Sequence, residues 1–159
     1  MGRILGPNVR NVLSIFDPVS GKKLGLYYRL PTSSERIAYE SAQFSFENGM
    51  AKKNRTAEAR QEYGLMILEG FTKGSFHFSQ EDGSLKDYSS DPADPDHIPE
   101  WKEKIKDQAI DLVEILAHRI FEGYLVISDQ EDERKNSSET SRESLASVSA
   151  TKARKKNAG

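Results

Sequence analysis

The stretch Leu24 to Glu40, LGLYYRLPTSSERIAYE, brings a strand pattern, a proline and a capped helix start together. Apolar residues recur at every second position before the proline, which predicts a β-strand. Pro31 ends that strand because it lacks a backbone N–H. Thr32 and Glu35 fit a capping box, in which the hydroxyl and the carboxylate each accept the other residue's backbone N–H. A helix is therefore expected to begin at about Ser33.

The elements on either side of this junction follow from turn chemistry and periodicity. Asn11 to Phe16 reads as another strand, and Asp17 to Gly21, DPVSG, reads as a turn, so the two predicted strands form an N-terminal β-hairpin. The first helix is expected to run from about Ser33 to Asn48, with the Asn48-Gly49 pair as its left-handed C-cap. Its apolar residues form two groups on the helical wheel, which implies two buried or partner-facing sides.

The remainder of the body reads as helix, hairpin, loop and helix. Thr56 is expected to cap a second helix over residues 57–71, and a short second hairpin is expected from residues 75–78 and 85–88. The loop of residues 89–99 contains three prolines, and a third helix is expected from Trp101 to Gly123. The predicted fold is α+β: an N-terminal hairpin packed with about three helices, and a second hairpin between helices 2 and 3.

The chain divides by composition into a body, residues 1–127, and a tail, residues 128–159. The tail lacks aromatic residues and is rich in serine and charge, which predicts disorder. The absence of cysteine and of a long apolar run favours a cytoplasmic protein without a membrane span. The body carries 16 basic and 19 acidic residues and is therefore not expected to be a nucleic-acid platform, although the basic end KARKK could contact phosphates or an acidic partner through its four cations. Those cations are Lys152, Arg154, Lys155 and Lys156.

No pattern in the sequence predicts an enzyme. Glu114 and His118 share a helix face, but a metal site needs further ligands, and a solvated pair on a helix is the simpler interpretation. Ser33 and Ser34 are explained by the helix start, and the glycines form no nucleotide-binding motif. The acidic loop Asp91–Asp96 lacks the spacing of a calcium loop. We therefore predict no catalytic, cofactor-binding or metal-binding residue.

Aromatic side chains are the remaining candidates for function, because aromatic residues often anchor protein interfaces. The predicted partner-binding residues are Tyr27, Tyr39, Phe44, Phe46 and Tyr63. The alternative is that each of these rings covers the edge of a small core.

Two passages resemble the small tail assembly chaperones of long-tailed phages and prophages. The first is Arg29 to Glu40, RLPTSSERIAYE, at the strand-to-helix junction. The second is Ile98 to Lys102, IPEWK, followed by the helix that contains Asp111 to Gly123.

The resemblance implies a non-enzymatic α+β interaction protein in the cytoplasm of the bacterial host. Such a protein would bind the tape-measure protein, or another phage tail protein, and mask apolar segments of this long helical partner until tube subunits replace it. A structural subunit retained in the virion tail and a nucleic-acid-associated protein acting through the basic end are the alternatives. The sequence also leaves a homo-oligomer open.

Overall fold

The computed structural model describes residues 4–6 and 9–123, which form a mixed α+β fold. Its elements in chain order are β1 (Asn11–Asp17), β2 (Lys22–Tyr28), α1 (Ser33–Ala42), β3 (Phe44–Glu47), β4 (Met50–Lys53), α2 (Thr56–Ile67), β5 (Leu68–Phe71), β6 (His77–Ser79), β7 (Leu85–Asp87), α3 (Trp101–Gln108) and α4 (Ile110–Ala117), followed by a π-helical turn (His118–Glu122). The predicted disordered tail, residues 128–159, lies outside the described residues.

The predicted N-terminal hairpin is confirmed. Strands β1 and β2 pair antiparallel, and β5 joins the other side of β2 to give the sheet order β1-β2-β5. Leu24 and Leu26 are buried on β2, as the alternation predicts. In the turn, the Asp17 carboxylate accepts the backbone N–H groups of Val19 and Ser20 at 3.1 and 3.0 Å, which fixes the connection between the strands.

The predicted capping box is also confirmed at the start of α1. The Glu35 amide donates to the Thr32 hydroxyl at 3.2 Å, and the Glu35 carboxylate accepts the Thr32 N–H at 2.8 Å. The same carboxylate accepts hydrogen bonds from both terminal nitrogens of Arg29, at 2.9 and 2.8 Å. The end of β2 and the start of α1 are therefore joined by a bidentate ion pair.

The predicted extent of the first helix is wrong. Helix α1 ends at Ala42, and residues 44–53 form a separate two-stranded hairpin, β3–β4. Asn48 and Gly49 have φ values of 51° and 78° and form its two-residue turn. Two consecutive residues with positive φ are what a hairpin turn of this length requires, so the pair turns a hairpin here and does not cap a helix.

The second helix also differs from the prediction at both ends. Arg55 occupies the N-cap position without a side-chain cap, so Thr56 is the first helical residue and not the cap. The helix ends at Ile67, because Leu68 to Phe71 pair with β2. Within α2, a Cβ on Gly64 would lie 2.6 Å from Val113 Cγ1, so this glycine lets α2 and α4 approach closely.

The predicted second hairpin is confirmed as β6–β7, but the third helix is broken. Ala109, with φ -141° and ψ 35°, separates α3 from α4, so the described residues contain four α-helices where about three were expected. The apolar stripe continues across the break, and Ile105, Leu112, Val113 and Leu116 are all buried.

The centre of the core is aromatic. Tyr39 is fully buried and stacks on Phe121 with ring centroids 4.5 Å apart. Tyr63 meets both rings edge-on, at 5.6 and 5.9 Å. The first cluster therefore joins α1 and α2 to the π-helical turn that contains Phe121. A second aromatic cluster surrounds Phe71 of β5 and includes Trp101 of α3.

Candidate partner-binding surface

The five predicted partner-binding residues lie on four different elements. Tyr27 is on β2, half-buried, with the Arg10 guanidinium 4.8 Å above its ring. Tyr39 and Tyr63 belong to the aromatic core on α1 and α2. Phe44 and Phe46 share one face of the β3–β4 hairpin. The structure therefore brings these two phenylalanines together and places Tyr39 where no partner can reach it.

The β3–β4 hairpin carries three exposed large apolar side chains. Phe46 is 80% exposed and Phe44 is 38% exposed, and they lie opposite Ala51 and Lys53 on one face. Met50 is 64% exposed on the other face. Exposed apolar side chains that lie together often mark an interaction site.

The charge of this hairpin is mostly positive. Lys52, Lys53 and Arg55 are exposed along β4 and just beyond it. Glu47 carries the single carboxylate of this hairpin, and it accepts a hydrogen bond from the Lys52 ammonium at 2.5 Å. Apolar side chains near the turn are therefore followed by basic side chains at the other end of the hairpin. This order resembles the apolar centre and polar rim of protein interfaces.

Met50 is absent from the predicted binding residues because the sequence pattern places residues 33–48 in a helix and the residues after Gly49 in a basic connection. The signal that could have found it is the Asn-Gly pair flanked by FSFE and MAKK, since this dipeptide between strand-like segments is a strong indication of a two-residue hairpin. The predicted basic contact residues Lys152, Arg154, Lys155 and Lys156 lie outside the described residues.

A second candidate is a cleft of about 230 Å³ between the β1–β2 turn, the β6–β7 hairpin and the α3–α4 break. Its floor is apolar, with Phe76, Ile105 and Leu112, and Tyr88 lies in its wall. The Lys104 ammonium lies 4.5 Å from the centroid of the Phe78 ring in a cation–π arrangement, and both residues line the cleft.

Two polar groups of this cleft, those of Asp17 and His77, are engaged in structural contacts. Hydrogen bonding, chiefly from Ser20, lowers the pKa of Asp17, so this carboxylate is ionised and holds the β1–β2 turn. His77 Nδ1 lies 3.0 Å from Asp87 across the β6–β7 ladder. The cleft thus offers an apolar floor but no nucleophile paired with a base, and we do not assign chemistry to it.

The other residues considered for chemistry have separate partners. Glu114 accepts from Gln61 Nε2 at 2.6 Å, and His118 Nδ1 lies 3.3 Å from an Arg60 nitrogen. In the acidic loop, Asp94 pairs with Lys73 at 3.2 Å. Among residues 4–6 and 9–123, no three His, Cys, Asp or Glu side chains lie close enough together to hold a metal ion.

In the part of the chain that the structure describes, no helix combines the length and apolar character needed to cross a membrane. No protein-family model matches the sequence, and no curated protein or solved structure matches it. Function is therefore inferred from the residues of this chain and from the resemblance noted above.

Proposed function

We propose that this chain is a non-enzymatic binding protein that acts as a phage tail assembly chaperone in the cytoplasm of the bacterial host. It binds the tape-measure protein and covers an apolar segment of it while the tail tube assembles. The binding surface is the β3–β4 hairpin, and not the α1 helix face that contains Tyr39.

The observation that carries the proposal is the exposure of Phe46, at 80%, and of Met50, at 64%, on the two faces of a hairpin that pairs with no other strand in the described residues. Phenylalanine and methionine are adaptable interface residues, and their burial by a partner removes apolar surface from water. The hairpin directly follows the helix whose start carries the resemblance to tail assembly chaperones. A small surface of this kind suits a partner that must later be released.

Co-purification tests the proposal directly. The full chain and its Phe46→Glu variant are each co-expressed with the tape-measure protein of the same genome, and the complex is captured through an affinity tag on the tape-measure protein. Phe16→Glu is the matched control, because Phe16 is 61% exposed and lies on β1, in a different sheet from β3 and β4. We expect Phe46→Glu to lose co-purification and Phe16→Glu to retain it.

Retention of the complex by Phe46→Glu would refute the hairpin as the binding surface. Mass spectrometry of purified virions separates the chaperone from a structural subunit. A chaperone is absent from the particle, whereas a stoichiometric amount there would favour the structural alternative.

A further inference from the structure

Strand β4 has an exposed edge in the described structure. The β3–β4 sheet has two strands only, α1 contacts β3, and all four residues of β4 are exposed. An exposed edge presents backbone N–H and C=O groups that can pair with another strand. Since Glu47 and Met50 flank a two-residue turn and pair directly, the polar backbone groups of Ala51 point away from β3.

The side chains along β4 follow a simple order. Met50 and Ala51 lie nearest the turn, and Lys52 and Lys53 follow towards the base of the hairpin. A strand laid beside β4 would therefore meet two apolar residues and then two ammonium groups, of which that of Lys52 also pairs with Glu47 on β3. Opposite charges favour such cross-strand neighbours, and like charges oppose them.

We infer that β4 accepts an extended segment of the partner as a third strand, with apolar residues beside Met50 and Ala51 and acidic residues beside Lys52 and Lys53. The segment belongs to the partner proposed above, so this inference rests on that function and specifies the chemistry of the bound stretch. Main-chain hydrogen bonds contribute affinity. The order of apolar and then basic residues along β4 sets the direction in which the bound segment runs. A second copy of the chain is a poor occupant, because two β4 edges would bring four lysines into one short ladder.

Fluorescence anisotropy with a defined probe tests this inference. The probe is a fluorescein-labelled, end-capped octapeptide of sequence SVIVEDES. A second peptide replaces its three acidic residues by lysine, and a third replaces its central valine by proline. We expect the full chain to bind the acidic peptide at least tenfold more tightly than either of the other two, with affinity falling as salt rises.

Two variants of the chain locate the binding. Lys52→Glu combined with Lys53→Glu should weaken binding at least tenfold, whereas the matched pair Lys22→Glu and Lys23→Glu, also adjacent exposed lysines in a hairpin strand, should change it by less than twofold. Ala51→Pro removes the backbone N–H of residue 51 from the free edge of β4 without altering charge. This variant should also weaken binding at least tenfold. Unchanged far-UV circular dichroism checks that each variant is folded.

The outcomes separate this inference from the proposed function. Equal affinity for the acidic and lysine peptides, or equal effects of the two lysine pairs, overturns the acidic third strand. If co-purification with the tape-measure protein still depends on Phe46 in that case, the chaperone function stands. If the unmodified chain does not co-purify with the tape-measure protein at all, the proposed function is refuted as well.

Discussion

Replacing Glu35 by Gln isolates the ion pair that joins β2 to α1. Glutamine keeps an acceptor for the Thr32 N–H, so the capping box is retained, but the charge that meets Arg29 is lost. In the native protein the Arg29 guanidinium, followed by the Thr32 backbone N–H, lowers the pKa of Glu35 from 4.5 to about 2. The carboxylate is therefore ionised throughout the physiological range.

The expected loss of stability follows from that pKa. Since each pH unit corresponds to about 1.4 kcal/mol, the fall in pKa sets an upper limit of about 3 kcal/mol. The side chains of Arg29 and Glu35 are 34% and 24% exposed, and solvent screening reduces the effect by roughly half. We expect Glu35→Gln to lower the free energy of unfolding by about 1.5 kcal/mol at pH 7.

The pH dependence provides an independent check on the same interaction. Because the folded pKa lies below the unfolded value, the stabilisation is complete above pH 4.5 and is lost as pH falls through about 2. In urea unfolding followed by circular dichroism, the difference between wild type and Glu35→Gln should shrink by about half at pH 3. Glu62→Gln, at an exposed position on α2, is the control and should change stability little.

Two results would refute this reasoning. One is a difference below about 0.5 kcal/mol between wild type and Glu35→Gln at pH 7, since surface substitutions without specific contacts reach that size. The other is a difference that stays constant from pH 7 to pH 3. Either result would mean that the Arg29 pair does not stabilise the folded state.

Further substitutions test the packing and the hairpin. Gly64→Ala should lower stability by about 1–3 kcal/mol, because its Cβ would lie 2.6 Å from both Cγ1 and the carbonyl oxygen of Val113; an unchanged melting temperature would contradict this close contact. Tyr39→Ala should cost about 3–5 kcal/mol, whereas Phe46→Ala should cost less than about 0.5 kcal/mol; similar losses in denaturant unfolding would show that the burial difference is not real. Gly49→Ala forces a β-carbon into a φ of 78° and should loosen the hairpin by about 1 kcal/mol, measured as faster amide exchange in β3 and β4; unchanged exchange would oppose the turn assignment.

The local signals that proved sufficient were those in which side chain and backbone act within a few residues. The capping box at Thr32 and the turn after Asp17 need only neighbouring groups, and both were predicted correctly. The Asn48-Gly49 pair was misread because positive φ serves both helix C-caps and hairpin turns. The segment FSFE alternates apolar and polar residues as a strand does, but the helical pattern of the preceding residues also extends past Ala42 and predicts a longer helix.

The break at Ala109 had no local signal. Alanine is the residue most favourable to a helix, and neither glycine nor proline lies within the α3–α4 segment, so periodicity alone predicts one continuous helix. The apolar stripe is preserved on both sides of the break. The break lies at the cleft, which Ala109 lines together with Ile105 and Leu112.

The sequence by itself determined an α+β chain with an N-terminal hairpin, a capped helix after Pro31 and a second short hairpin, because these depend on turn residues, caps and period. Only the tertiary structure decided which aromatic residues are available to a partner. Tyr39 and Phe46 were equal candidates in the sequence, yet one lies fully buried against Phe121 and the other is 80% exposed. Burial depends on contacts between residues far apart in the chain, and short-range pattern does not contain that information.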